Sequence, residues 1–170
     1  LVAKAKTLPD DIQWHFIGHL QTNKVRMIVP IVSMVHSVDT ERLLRLVDAE
    51  AKRIGRVVDV LLQVHVAQEE TKFGFTPDEL LQFVESGVID ELTNVRVVGV
   101  MGMATNTDDV NRITEDFKAI NQTFKNARAL LKENADFAHI SMGMSDDYQL
   151  AIENGSTMVR IGSTIFGYRQ

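Results

Sequence analysis

The sequence predicts an α/β protein, a (β/α)8 TIM barrel with about six of its eight βα units present, on three observations. Apolar strand-like runs alternate with helical patterns along the whole chain, with no linker or composition break. The runs are apolar almost without interruption, as strands of a parallel sheet covered on both faces are. The residues best suited to an anion follow the last two strands, where such barrels commonly hold a phosphate. A doubly wound sheet shares the alternation. No G-x-G-x-x-G follows any strand, however, so a dinucleotide site has no support.

The strand candidates are Trp14 to Gly18, Val32 to Val38, Val57 to Val66, Val95 to Met101, Phe137 to Met142 and Thr157 to Ile161. Helices fill the gaps. One spans Thr22 to Val29 and stops at Pro30. A second starts at Asp39 or Thr40, turns Leu43, Leu44, Val47, Ala51 and Ile54 inward, and ends at Gly55. A third opens at Thr76-Pro77-Asp78-Glu79 with an N-cap, a proline at the first helical position and a capping-box glutamate; Gly87 closes it. The longest runs from about Asp108 to Lys132, with Val110, Ile113, Phe117, Ile120, Phe124, Ala127 and Leu131 in one stripe. Ser145 is expected to cap a short helix closed by Gly155. Lys4 and Lys6 fall in the solvated last turns of a helix that precedes Pro9.

At 170 residues, one domain over 1–170 is expected, and 45% hydrophobic with 24% charged residues is ordinary for a globular protein. Basic residues are scattered and outnumbered 18 to 23 by acidic ones, which argues against a nucleic-acid surface. There is no cysteine, hence no disulfide framework or thiolate chemistry, and a cytoplasmic setting fits. No apolar run approaches the ~20 residues of a membrane span.

The chemistry concentrates near the C-terminus. Ser145 at a helix start and the Gly162-Ser163 turn both offer backbone N–H groups to an anion, and together they suggest a phosphate cradle. Asp146 and Asp147 suit the helix dipole but repel a phosphate, so they should point away. Arg160 interrupts an apolar strand; it must either pair with a neighbouring carboxylate or donate to a ligand. Met101, Met103, Met142 and Met144 cluster at two strand ends, either as core or as an apolar wall for a flat ring. His15, His19, His36 and His65 lie at or near strands without metal-ligand spacing, so satisfied core or loop histidines are the better reading. Lys24 and Lys72 are surface charges unless Lys72 overhangs the mouth.

Three motifs carry a resemblance: Trp14-His15-Phe16-Ile17-Gly18-His19-Leu20-Gln21-Thr22-Asn23-Lys24, Ser141-Met142-Gly143-Met144-Ser145-Asp146-Asp147, and Val159-Arg160-Ile161-Gly162-Ser163-Thr164-Ile165-Phe166-Gly167. In this order they resemble the YggS/PROSC family of pyridoxal 5′-phosphate (PLP) homeostasis proteins. The resemblance implies a PLP-binding barrel of the alanine racemase N-terminal type, a cytoplasmic protein that binds, buffers and delivers PLP without established turnover. The alternative is a PLP-dependent amino-acid racemase. It further implies a cofactor site of Arg160, Gly162, Ser163, Ser145, Met144, Gly143, Met142 and Met101, with phosphate near Ser145, Gly162 and Ser163, and Arg160 facing the ring nitrogen. Ser163 stands where relatives often have threonine. Apo PLP enzymes are the expected partners, and a monomer is expected.

In the family, the lysine that bonds the cofactor aldehyde sits in a motif like A-V-S-K-x-K-P, followed by one like F-G-E-N-x-x-Q-E. Neither occurs here. No catalytic residue is therefore assigned; Lys72 is kept as a secondary lysine, without covalent PLP expected on it or on Lys4. The expectation is an N-terminally incomplete barrel lacking two βα units, roughly 60 residues of a ~250-residue fold.

Overall fold

The computed structural model describes residues 1–69 and 73–167. Its elements are α1 (Val2–Ala5), β1 (His15–Phe16), α2 (Val25–Ile28), β2 (Met34–Val38), α3 (Glu41–Arg53), β3 (Val58–Val64), α4 (Pro77–Glu85), α5 (Val88–Glu91), β4 (Val95–Gly102), α6 (Val110–Leu130), β5 (His139–Met144), α7 (Tyr148–Glu153), β6 (Met158–Arg160) and α8 (Ser163–Phe166). The strands form one parallel sheet in the order β1-β2-β3-β4-β5-β6, so each pairs with its neighbours in sequence. A doubly wound sheet reverses its order at a switch point. This one never does, and right-handed crossovers then put the helices on one face. The architecture is a partial TIM barrel.

Two apolar layers follow from strand alternation. Val35, Val60, Leu62, Val97, Val100, Ile140 and Met142 meet the helices in the main core. Met34, Leu61, Val98 and Met101 form a smaller interior cluster, with Met103 and Met158 against it. A hydrogen bond between Ser141 of β5 and His36 of β2 crosses this interior at 2.9 Å. Only a curled sheet brings those two strands face to face.

The helices follow their local signals. Thr40 caps α3, its Oγ1 accepting from the Leu43 N–H at 3.2 Å. Thr76 and Glu79 form the reciprocal capping box of α4, at 3.3 and 2.8 Å. Gly87 follows at φ +77°. Asp109 caps α6 by accepting from Asn111 and Arg112 N–H groups. In the α6 stripe, Ile113, Phe117, Ile120, Phe124 and Ala127 are buried, but Val110 lies 55% exposed because the helix begins there, beyond the sheet edge of the core.

Asp116, on the same helix, is 1% exposed; it accepts from the Thr105 N–H at 2.7 Å and Thr105 Oγ1 at 2.6 Å, and pairs with Arg112. This carboxylate pins the loop after β4 onto α6. Several elements differ from the sequence expectation. The Trp14 to Gly18 run pairs only over His15–Phe16, the Thr22 to Val29 helix opens as a 3-10 turn over Thr22–Lys24, and α5 and α8 appear where no helix was expected. Among the described residues, no helix is long and apolar enough to cross a membrane.

Candidate functional site

The last two strands end side by side, and the loops leaving them meet. Ser145 does not cap α7. Asp147 takes the turn instead: its Oδ1 accepts from the Met144 N–H at 2.6 Å, and α7 starts only at Tyr148. Ser145 Oγ is thereby free to reach across, where it accepts from the N–H groups of Gly162 at 3.2 Å and Thr164 at 3.4 Å. The serine thus caps the first turn of α8 from a neighbouring loop. The geometry brings Ser145, Gly162 and Ser163 together and aims two backbone N–H groups at a single oxygen. Both Gly162 and Thr164 are exposed, so solvent reaches this cradle.

Below it, Arg160 is 9% exposed and has no carboxylate partner among the described residues. Its Nη1 donates to Ser141 Oγ at 2.8 Å and its Nη2 to the Gly102 carbonyl at 3.0 Å. Its Nε is buried with no acceptor. Burial pulls its pKa down to about 10, against the opposing charge of Asp147. A guanidinium held by two neutral oxygens, with its buried Nε–H left without an acceptor, fits a ligand acceptor.

Beyond Ser141 the polar chain continues. His36 Nδ1 lies 2.9 Å from Ser141 Oγ, and His36 Nε2 lies 3.0 Å from His15 Nδ1. Burial pushes the pKa of His36 down to about 3, helped by His15, Arg160 and His139. That of His15 is lowered by burial, with Asp59 opposing and His139 adding.

The remaining site candidates divide by face. Met144 is 46% exposed at the end of β5 and lines a cleft of about 510 Å³ with Met103, Thr105, Asp146 and Asp147. Met101 is fully buried in the interior cluster, and Met142 in the helix-side core. Gly143 sits at φ +95°; a Cβ there would come 2.5 Å from Ala151 Cβ and 3.1 Å from Tyr148 Cα. That glycine lets α7 lie against β5. Lys72 lies outside the described residues.

Sequence reasoning did not foresee the His19 arrangement. Its Nδ1 bonds Asp39 at 3.0 Å and its ring stacks on Phe73 at 3.8 Å, uniting the loops after β1, β2 and β3. The only sequence signal was that His19 and Asp39 each follow a strand.

A partial, singly wound parallel barrel with convergent N–H groups at its C-terminal rim and a buried arginine beneath them is an α/β domain whose site has the features of an anion pocket. Residues 5–170 match the family model of the alanine racemase N-terminal domain. The pyridoxal phosphate homeostasis protein of Aquifex aeolicus is 38% identical over 168 residues, covering 98% of this chain and 72% of that one. The human protein of the same name is 37% identical over 171 residues, covering 98% and 62%. Among solved structures, PipY of Synechococcus elongatus with PLP bound matches at a TM-score of 0.81 and 31% identity, over 97% of this chain and 74% of that one. Alanine racemase of Corynebacterium glutamicum, at 13% identity and a TM-score of 0.70, shares the fold. The chain belongs to the alanine racemase N-terminal domain family, among its pyridoxal phosphate homeostasis proteins.

Proposed function

We propose that this chain binds pyridoxal 5′-phosphate and serves to hold, buffer and hand on that cofactor rather than to turn over a substrate. The observation that carries this reading is the convergence of the Gly162 and Thr164 N–H groups above Arg160, whose Nε lacks an acceptor. The name of the relatives and the PLP in the PipY structure support it. The racemase reading has only fold-level likeness at 13–16% identity behind it.

Gly162 and Thr164 would turn their N–H groups from Ser145 Oγ to phosphate oxygens, freeing the Ser145 hydroxyl to donate alongside that of Ser163. Arg160 would donate to the ring nitrogen. The bound cofactor supplies an electrophilic aldehyde that condenses with amines. A guanidinium keeps its proton, so Arg160 holds the ring nitrogen as an acceptor and disfavours its protonated form. Met144 offers an apolar surface at the rim. Apo PLP enzymes are the recipients this role calls for, and the protein acts as a monomer.

Equilibrium dialysis with PLP tests the reading. One saturable site per folded chain is expected. Arg160→Met should weaken PLP roughly tenfold or more, on the scale of a hydrogen bond to a charged group. Inorganic phosphate should be spared. A folded wild-type chain that takes up no PLP sinks the proposal.

A further inference from the structure

Arg160 is long, flexible and lies in an apolar interior, yet its fork is held in one place. Its Nη1 donates to Ser141 Oγ at 2.8 Å. A guanidinium has no acceptor, so this hydroxyl must accept, and its own proton has to go elsewhere. The neighbour within reach is His36 Nδ1, at 2.9 Å. If it takes that proton in a hydrogen bond, Nδ1 is the unprotonated nitrogen and His36 Nε2 carries the hydrogen. Nε2 in turn lies 3.0 Å from His15 Nδ1, which accepts. Read from the arginine end, every donor in the chain finds an acceptor; the reverse sense, in which Ser141 Oγ accepts twice, differs from it in the His36 tautomer.

The chain runs from β6 through β5 to β2 and β1. Ser141 and Arg160 are buried, His36 is 1% exposed and His15 is half-buried. The same interior holds the apolar cluster of Met34, Leu61, Val98 and Met101, together with His139 and Asp59, which act electrostatically on the histidines. An apolar set of similar volume would serve stability as well or better. A fully connected polar line specifies position instead.

We propose that Ser141, His36 and His15 form a hydrogen-bonded strut across the barrel that fixes the direction in which Arg160 meets the ligand ring, making these three side chains positioning residues of the cofactor site. This role rests on the PLP reading above. Burial and the charges of His15, Arg160 and His139 all act to keep His36 neutral, as the strut requires.

The test uses the whole chain with two independent readouts. Long-range 1H–15N NMR on the free protein reads the His36 tautomer; Nε2–H is expected. Equilibrium dialysis then compares PLP with inorganic phosphate for wild type, His36→Leu and His36→Asn. Leucine fills the space without the bonds, and PLP affinity should fall roughly tenfold, as for loss of support to a charged donor, with phosphate affinity unchanged. Asparagine carries an acceptor within reach of the Nδ1 position and should restore most of the loss. Unchanged PLP affinity in His36→Leu, an equal fall for both ligands, or no recovery with asparagine overturns the positioning role. Wild type that binds PLP while His36 carries its proton on Nδ1 overturns the strut alone. Wild type that takes up no PLP overturns the function proposed above, and the positioning role with it, whatever the ring nitrogens report.

Discussion

Gly143→Ala is the sharpest probe of how the rim is supported. Two separable costs arise at this position. The backbone stands at φ +95°, a conformation L side chains rarely adopt, worth of order 1–3 kcal/mol. The new Cβ also lies 2.5 Å from Ala151 Cβ and 3.1 Å from Tyr148 Cα. Forcing α7 off β5 to make room is overpacking, typically about 1–3 kcal/mol. The sum is about 2–6 kcal/mol, a large fraction of the stability of an ordinary domain. The clash can be removed on its own. Ala151→Gly deletes the opposing methyl while leaving the strained φ untouched, and alone it should cost about 1 kcal/mol or a little more in α7. Urea unfolding of the four proteins of this cycle measures the split. Gly143→Ala should be strongly destabilised, and the double variant should recover about 1–3 kcal/mol relative to additivity. A Gly143→Ala protein within about 0.5 kcal/mol of wild type refutes the strain argument, since that is the scale of a neutral surface change. Strict additivity refutes the claim that β5 and α7 meet through this glycine. The cycle bears on the ligand as well, because Ser145 lies in the turn between β5 and α7.

Other perturbations follow from buried groups. Asp116→Ala removes the acceptor for both Thr105 donors and leaves Arg112 without its carboxylate, so a loss of about 3 kcal/mol is expected by thermal melting, the lower end for a broken buried pair because Arg112 is partly exposed. For His36, the folded pKa of about 3 lies below the unfolded value of 6.5, so the unfolded chain binds more protons in acid. Its neutral-state contribution is complete above pH 6.5 and is lost progressively as pH falls toward 3. Between pH 6.5 and about 5 the wild type should lose about 2 kcal/mol that His36→Leu does not lose, read as a difference of urea midpoints. Parallel curves for the two proteins would show that His36 titrates normally.

What the sequence made legible was whatever depends on neighbours a few residues away. Thr76 and Glu79 are three apart, and their capping box appears as read. Gly87 and the α6 stripe are equally local. Ser145 failed for the same reason that these succeeded. The rule for an N-cap looks forward into the next helix, but α7 starts only at Tyr148, and Asp147 turns its carboxylate back to accept from the Met144 N–H. The partners Ser145 found, Gly162 and Thr164, belong to another loop. His36 was read as a satisfied histidine, and it is satisfied, but by Ser141, 105 residues away. No periodicity encodes such a pair. Likewise, alternation of strands and helices could not separate a barrel from a doubly wound sheet; the unbroken neighbour order β1 to β6 does.

These failures and successes outline how the site is built. Its upper half is backbone: N–H groups of a loop and a helix turn, gathered by one serine and held by the packing of α7 on Gly143. Its lower half is side chain: Arg160, held by Ser141 and the Gly102 carbonyl inside the barrel. The two halves share β5, but they draw on different contacts, the first on the helix side of that strand and the second on its interior side. Alternation along a strand is what separates them, since Ser141 faces inward while Met142 faces the helices. Disturbing the Gly143 side should therefore weaken phosphate and PLP alike, whereas disturbing the Ser141 side should weaken PLP alone. On the PLP reading proposed above, the two halves meet the anion and the ring acceptor of one molecule, as a phosphorylated pyridine carries them.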